Sequence, residues 1–167
     1  FYENGNPKKI INYKDGVFHG NYKTYHEDSI LKMSKIFKNG IINGKELFFH
    51  NNGQLAYQKF WNEGIENGIW EYYYSNGQLK KNGKWIDGLK DGSWEHYQEN
   101  GNKTDFVLYS KGKIWMILEF DRFGVAKDND QQIEYERMLR NKSSIESSQT
   151  KKRRKKKKKQ KKKKKSK

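Results

Sequence analysis

Glycine recurs in this sequence at a fixed interval of 24 residues, and that interval leaves few folds open. Gly16, Gly40, Gly64, Gly88 and Gly112 form one column, and Gly20, Gly44, Gly68 and Gly92 a second. Gly53, Gly77 and Gly101 form a third, with Gly5 two periods before Gly53, so these columns take up 13 of the 15 glycines. Aromatic residues keep the same register: Phe1, Tyr25, Phe49, Tyr73 and Tyr97 in one column, Tyr13, Phe37, Trp61, Trp85 and Tyr109 in another. Such a period marks a repeat array whose units bury apolar surface only against their neighbours. Five units start at residues 1, 25, 49, 73 and 97 and occupy residues 1–125.

Each unit carries two turn signals. Asn4-Gly5, Asn52-Gly53, Asn76-Gly77 and Asn100-Gly101 are the dipeptide that suits a type I′ hairpin, in which both central residues take positive φ. Asp15-Gly16, Asn39-Gly40, Glu63-Gly64, Asp87-Gly88 and Lys111-Gly112 are the second signal. The strand-like stretches between them predict an all-β fold, an elongated antiparallel hairpin meander of about ten strands, roughly 45 Å wide at ~4.8 Å per strand. With two-residue loops at both turns, Trp61 pairs with Gly44, Trp85 with Gly68 and Tyr109 with Gly92, each ring covering the backbone of a strand glycine. The same parity puts Leu31, Leu55, Leu79, Tyr22, Trp70, Trp94, Phe48, Tyr72 and Phe120 on the face of the aromatic column. The other face is mostly polar, relieved by the position-1 aromatics and by Val17, Ile41, Ile65 and Leu89.

Two units depart from the pattern. In unit five Met116 replaces the second glycine and Leu118 the aromatic, and Phe120 to Gly124 reads as the start of an abbreviated sixth unit. In unit two Asp28-Ser29 replaces Asn-Gly, and Glu46 stands where Trp70 and Trp94 stand later, which predicts a looser turn.

Beyond the array, residues 126–142 read as a short capping helix. Asp128 with Gln131 suits its N-terminus, and Ile133, Tyr135, Met138 and Leu139 give an apolar stripe to dock on the last hairpin. Residues 143–167 read as a Ser-rich linker and a disordered poly-Lys tail. Lys and Arg number 36 against 20 acidic residues. Residues 151–167 carry 15 of those 36 and no acid, which leaves 21 basic against 20 acidic residues before them, a net of +1. The charge belongs to the tail, where Lys151, Lys152, Arg153, Arg154 and Lys155 are the polyanion-binding candidates.

Chemistry finds little footing. There is no cysteine, hence no disulfide, thiolate nucleophile or Cys-based metal site. The repeat spreads its carboxylates along the array rather than converging them, and no glycine-rich stretch leads into a helix as a phosphate loop does. His26 and His50 share a repeat position without further metal ligands of suitable spacing. No catalytic residue, metal or cofactor is expected. The longest apolar run, residues 114–118, is far short of the ~20 that span a bilayer as a helix. A cytoplasmic location is expected, with what precedes Phe1 left open.

The stretches Tyr13 to Tyr22 and Trp85 to Trp94 resemble the MORN repeat, in the bacterial variant with the Asn-Gly-Gln-Leu lead-in seen at 52–55 and 76–79. The resemblance covers about 120 residues and implies a β-hairpin meander without catalytic residues of its own. Many bacterial proteins of this variant are similar to the YwqK-type antitoxin group, thought to neutralise a toxin by binding it, whereas eukaryotic members resemble scaffolds. All 25 aromatic residues precede the tail. Tyr and Trp concentrate binding energy, so Trp61, Trp70, Tyr72, Tyr73, Trp85 and Trp94 are the candidates for a protein partner, a toxin or another. The alternative is a scaffold held to anionic membrane or nucleic acid by its tail.

Overall fold

The computed structural model describes residues 1–128 together with 130, 131, 133, 134, 136, 137 and 140. Residues 1–127 form one compact unit. Its strands are β1 (Lys9–Lys14), β2 (Val17–Tyr25), β3 (Leu31–Lys38), β4 (Ile41–Ile42), β5 (Gly44–Phe49), β6 (Leu55–Asn62), β7 (Ile65–Tyr73), β8 (Leu79–Ile86), β9 (Leu89–Tyr97), β10 (Lys103–Ser110) and β11 (Lys113–Glu119). They lie in sequence order in a single antiparallel sheet, so the expected meander is what forms. β4 and β5 both pair with β3 and are two pieces of one repeat strand, parted at Asn43, whose N–H still donates to Ile36 O at 2.8 Å.

The two turns of a unit differ in kind. At the Asp15, Asn39, Glu63, Asp87 and Lys111 tips, both central residues have positive φ, the non-glycine ones between 47° and 51°. These are the two-residue type I′ hairpins. The Asn-Gly turns are not. Only the glycine is left-handed there, while Gly53 N–H donates to His50 O at 2.9 Å and His50 N–H to Gln54 O at 2.8 Å. That is a three-residue loop, a type I turn followed by a left-handed glycine, and it corrects the expectation of type I′ geometry.

The pairing of Gly44 with Trp61, Gly68 with Trp85 and Gly92 with Tyr109 is nevertheless as expected. The extra loop residue is cancelled one step into the strand. Tyr73 pairs with Leu79 but Tyr72 with Lys81, which leaves Lys80 bulged. Lys32, Ala56 and Thr104 are skipped in the same way, at the same 24-residue interval. Beyond its own position, a one-residue bulge restores the parity that a one-residue longer loop removes; Leu31, Leu55 and Leu79 precede the bulge and pair with Tyr25, Phe49 and Tyr73, away from the aromatic-column face on which they were expected.

Asn at these turns serves hydrogen bonding rather than positive φ. Asn76 Oδ1 accepts from Gln78 N–H at 2.9 Å, and its Nδ2 donates to Glu99 O in the next turn at 3.2 Å. Asn52 repeats this toward Gln54 and Ser75, and Asn4 toward Asn6 and Glu27. Position 2 adds a parallel row, with Tyr2 Oη donating to Tyr25 O, Tyr74 Oη to Tyr97 O, and His50 Nε2 bonded to Tyr73 O. In unit two the turn is the same one, not a looser one: Ser29 takes the left-handed place at φ 69° and its N–H donates to His26 O at 3.0 Å. Its cost is the missing side-chain tie to the next turn, since the Asp28 carboxylate has no N–H to donate, and about 1 kcal/mol of left-handed strain.

The second glycine column sits in a wider irregularity. Gln58 pairs with Glu71 but Phe60 with Asn67, so three residues of β7 oppose one of β6, and Gly68 there has φ 72°. Where Met116 replaces this glycine, the shift falls from two residues to one. A one-residue shift reverses parity, so Leu118 lies beside Phe106 and Phe120 reaches the opposite face, where the Lys103 ammonium lies 6.0 Å from its ring. Phe120 was expected on the aromatic-column face, and the lost residue explains the change. Phe106, Leu118 and Ala126 are the buried apolar residues of this end, closed by a bridge between Phe120 and Ala126.

The described residues from 130 onward are helical, and Asp128 Oδ1 accepts from the N–H groups of Asp130 and Gln131 at 3.0 and 3.2 Å, the expected helix start. Tyr135, Met138, Leu139 and the linker and tail of 143–167 lie outside the described residues.

The inter-turn tie can be isolated at Asn76. Asn76→Ala removes both bonds and lowers stability by about 1–2 kcal/mol, whereas Asn76→Asp keeps the bond within the turn and loses roughly half as much. Urea unfolding of the two variants measures this, and an Asp variant as stable as the parent would mean that the tie contributes nothing.

Candidate functional site

Within residues 1–127 the sheet is one layer thick, so each face must be covered by its own side chains. On one face, called the front here, the rings of adjacent strands touch in a row. Centroids of Trp61 and Trp70 are 5.1 Å apart, Trp70 and Trp85 5.1 Å, Trp85 and Trp94 5.5 Å, and Trp94 and Tyr109 6.4 Å. Units one and two hold a second cluster of Tyr13, Phe18, Tyr22 and Phe37. Phe48 stacks on Tyr57 at 5.3 Å, and Tyr57 meets Tyr72 at 5.9 Å.

What position 22 packs against in units one to four is set by position 11. Ile11 pairs with Tyr22. Lys35 Nζ is 3.2 Å from Glu46 Oε1. Lys59 Nζ sits 4.8 Å from the Trp70 ring. Gly83 has ordinary strand φ, yet a Cβ there would fall 2.1 Å from Trp94 Cδ2, so the indole lies flat on bare backbone. The cover expected from the position-13 rings is not found at their glycines, since a Cβ at Gly44 would meet Ile36, one at Gly68 Phe60 and one at Gly92 nothing within 4 Å; the covered strand glycine is Gly83 instead.

The partner-binding candidates therefore divide. Trp70 and Trp94 are 5% and 3% exposed, and their Nε1–H groups donate to Phe60 O and Lys84 O at 3.0 and 3.2 Å, which makes them the core of the sheet. Trp61, Trp85 and Tyr72 are half-buried on the same face. Trp61 Nε1–H donates to Glu46 Oε2 at 2.8 Å, while Trp85 Nε1 is buried without a partner. Tyr73 is on the opposite face, a correction to its grouping with the tryptophans. Alternation along β7 places it with Glu71, whose charge, after burial, raises the Tyr73 phenol above its ordinary range.

Glu46 is the one buried charged residue among those described, at 4% exposure. It accepts from Tyr57 Oη at 3.0 Å and from Trp61, and pairs with Lys35. Its partners satisfy it, as a buried carboxylate requires. Burial first, then the Glu46 charge and hydrogen bond, push the Tyr57 phenol far above its ordinary 10.0, and burial and Glu46 raise Tyr72 as well. Sequence reasoning saw Glu46 only as a departure from the column. The available signal was Lys35, eleven residues earlier, where Lys59 precedes Trp70 by the same interval.

Three lysines on the front were not singled out from the sequence. Lys59 Nζ is 4.4 Å from the Tyr57 ring and 5.5 Å from Tyr72, and Lys81 Nζ is 4.3 Å from Tyr72. Lys90 Nζ is 4.4 Å from Trp94 and 4.9 Å from Tyr109. Burial, then the charges of Lys90, Lys80 and Lys59, lower the Lys81 ammonium pKa. The histidines do not converge: His96 Nδ1 meets Asp105 Oδ2 at 2.8 Å, His19 Nδ1 meets Asn39 Oδ1 at 3.1 Å, and His26 Nε2 is buried without a partner. Among the described residues no three His, Cys, Asp or Glu side chains are grouped to hold a metal ion. The tail candidates Lys151, Lys152, Arg153, Arg154 and Lys155 lie outside those residues.

Residues 1–15, 42–63 and 66–87 match the family model of the MORN repeat variant. With the five hairpin units, this supports a MORN-repeat protein, that is, a repeat module. No curated protein matches. Among solved structures, the chain is similar to one in the "Crystal structure of GtfA/B complex bound to UDP and GlcNAc", at 12% identity and a TM-score of 0.38. That alignment covers 71% of this chain and 26% of the other, so the chain spans about a quarter of that neighbour's length.

Two outcomes follow from this geometry. Gly83→Ala forces the Trp94 indole off the backbone and costs about 1–3 kcal/mol by overpacking, measured as a lowered urea midpoint; an unchanged midpoint would show that the indole moves freely. Raised phenol pKa values mean that the folded state favours neutral tyrosine. Their contribution is complete below the unfolded pKa of about 10 and is lost as pH rises above it. Stability should therefore fall from about pH 9.5 upward, and by less in Tyr57→Phe; an identical alkaline profile for the two proteins would contradict the role given to Tyr57.

Proposed function

We propose that the chain is a non-enzymatic repeat module that binds a protein partner through the front of its sheet. The observation that carries this reading is the half-exposed row of Trp61, Trp85 and Tyr72, laid over a core of Trp70 and Trp94 in a sheet without a second layer of its own. Large, rigid rings contribute contact area at low entropic cost, which is why Trp and Tyr dominate the energetics of protein interfaces. A toxin is one partner of this kind, and that narrower reading rests on the sequence resemblance.

A photo-cross-linking residue at position 61 or 85 should capture a partner protein, and one at Ile69 or Lys84 on the back should not. Trp61→Ala with Trp85→Ala should weaken the complex by roughly tenfold or more. Trp70→Ala should instead lower stability by about 3–5 kcal/mol. Equal capture from both faces, or capture that disappears on removal of residues 151–167 alone, would rule out the front as the binding surface.

A further inference from the structure

We infer that the segment docking on this face is acidic, its carboxylates meeting Lys59, Lys81 and Lys90 above the aromatic row; this rests on the reading of the front as the partner-binding surface. The three ammonium groups sit on β6, β8 and β9 over the rings of Tyr57, Trp70, Tyr72, Trp94 and Tyr109. A ring attracts a cation without neutralising it. Other acids on this face are engaged elsewhere: Glu46 by Lys35, Asp105 by His96, and Glu119, opposite Asp105, by Lys127. Glu66 stands at the turn end of β7, opposite Trp61. The lysine strip is thus a cluster of like charges on a flat, half-buried floor, and carboxylates arriving from a partner relieve its repulsion.

Spacing supports an extended peptide. β6 and β8 are two strands apart and β9 is the next, roughly 10 and 5 Å at ~4.8 Å per strand, while alternate side chains of an extended chain stand ~7 Å apart. Carboxylates at alternating positions of a peptide crossing the strands reach all three. A nucleic-acid strand fits less well. Bases bind by stacking on open ring faces, and here neighbouring rings are tilted 46–89° to one another with lysines lying over them.

Intrinsic tryptophan fluorescence of the full chain reads this face, because Trp61, Trp70, Trp85 and Trp94 lie on it and the tail has no aromatic residue. Trp115→Phe removes the fifth tryptophan. The probes are extended peptides of about eight residues alternating Glu with Thr or Gln with Thr, and a short oligothymidylate. The Glu peptide should shift the emission and bind roughly tenfold more tightly than the Gln peptide, with a preference that weakens as salt rises. K59Q/K81Q/K90Q should abolish that preference, K81Q alone should reduce it, and K155Q/K156Q/K157Q in the tail should leave it unchanged. Equal binding of both peptides, or a preference that survives the front-face substitutions, overturns the acidic segment and leaves the aromatic face standing. Response to oligothymidylate but to neither peptide overturns both, as does the absence of any response.

Discussion

A one-layer sheet stands or falls on how side chains from adjacent strands cover one another, and here that covering is a lateral contact between position 11 of one strand and position 22 of the next repeat strand. The pair changes chemistry along the array: an aliphatic residue beside a tyrosine, an ion pair, a lysine on an indole, and an indole on bare glycine. Each buries one large group without a second layer. The tryptophan row follows, because Trp70 and Trp94 are held down at these contacts, so that Trp85 can lean between them and Trp61 against Trp70. Cross-strand neighbours are the unit of sheet stabilisation, and in this protein they also decide which rings stay accessible.

Glu46 shows what a change at one such contact does. A carboxylate in the place of an indole needs a cation and hydrogen-bond donors, and Lys35, Tyr57 and Trp61 supply them. The cost is continuity, since the ring cluster of units one and two stops at Phe37 and the tryptophan row begins at Trp61. Lys59, Lys81 and Lys90 all stand in the tryptophan half of the front.

Much of the architecture was legible in the residues. Columns of glycine and aromatics gave the period, and parity gave the pairing of Trp61 with Gly44 and of Trp85 with Gly68. The Asn-Gly turns were misread because that dipeptide suits both a two-residue and a three-residue loop. The compensating bulge left no mark either, since Lys32, Ala56, Lys80 and Thr104 do not form a column of one residue type. Left-handed Glu63 and Lys111 likewise carry no sequence preference for that conformation. Depth was the harder part: Trp70 and Trp85 look alike in sequence, and only the position-11 partner against Trp70 separates core from surface. The lysine strip escaped because its members come from three different repeat positions.

The bulge at Lys80 and its equivalents has a consequence for how this fold tolerates change in length. Facing in a strand is binary, so each loop residue acts like a bit in a frame, and the turn and its bulge together form a checksum. Loss of either one alone inverts every side chain after it, turning rings to the polar face and lysines to the aromatic one. Met116 is a natural instance of such an inversion, and it occurs in the last repeat, where of the side chains that follow Leu118 and Phe120 are taken up at the sheet's closed end. Length can therefore vary by whole units or by compensated pairs, whereas an uncompensated single-residue change is tolerable only at the end of the array.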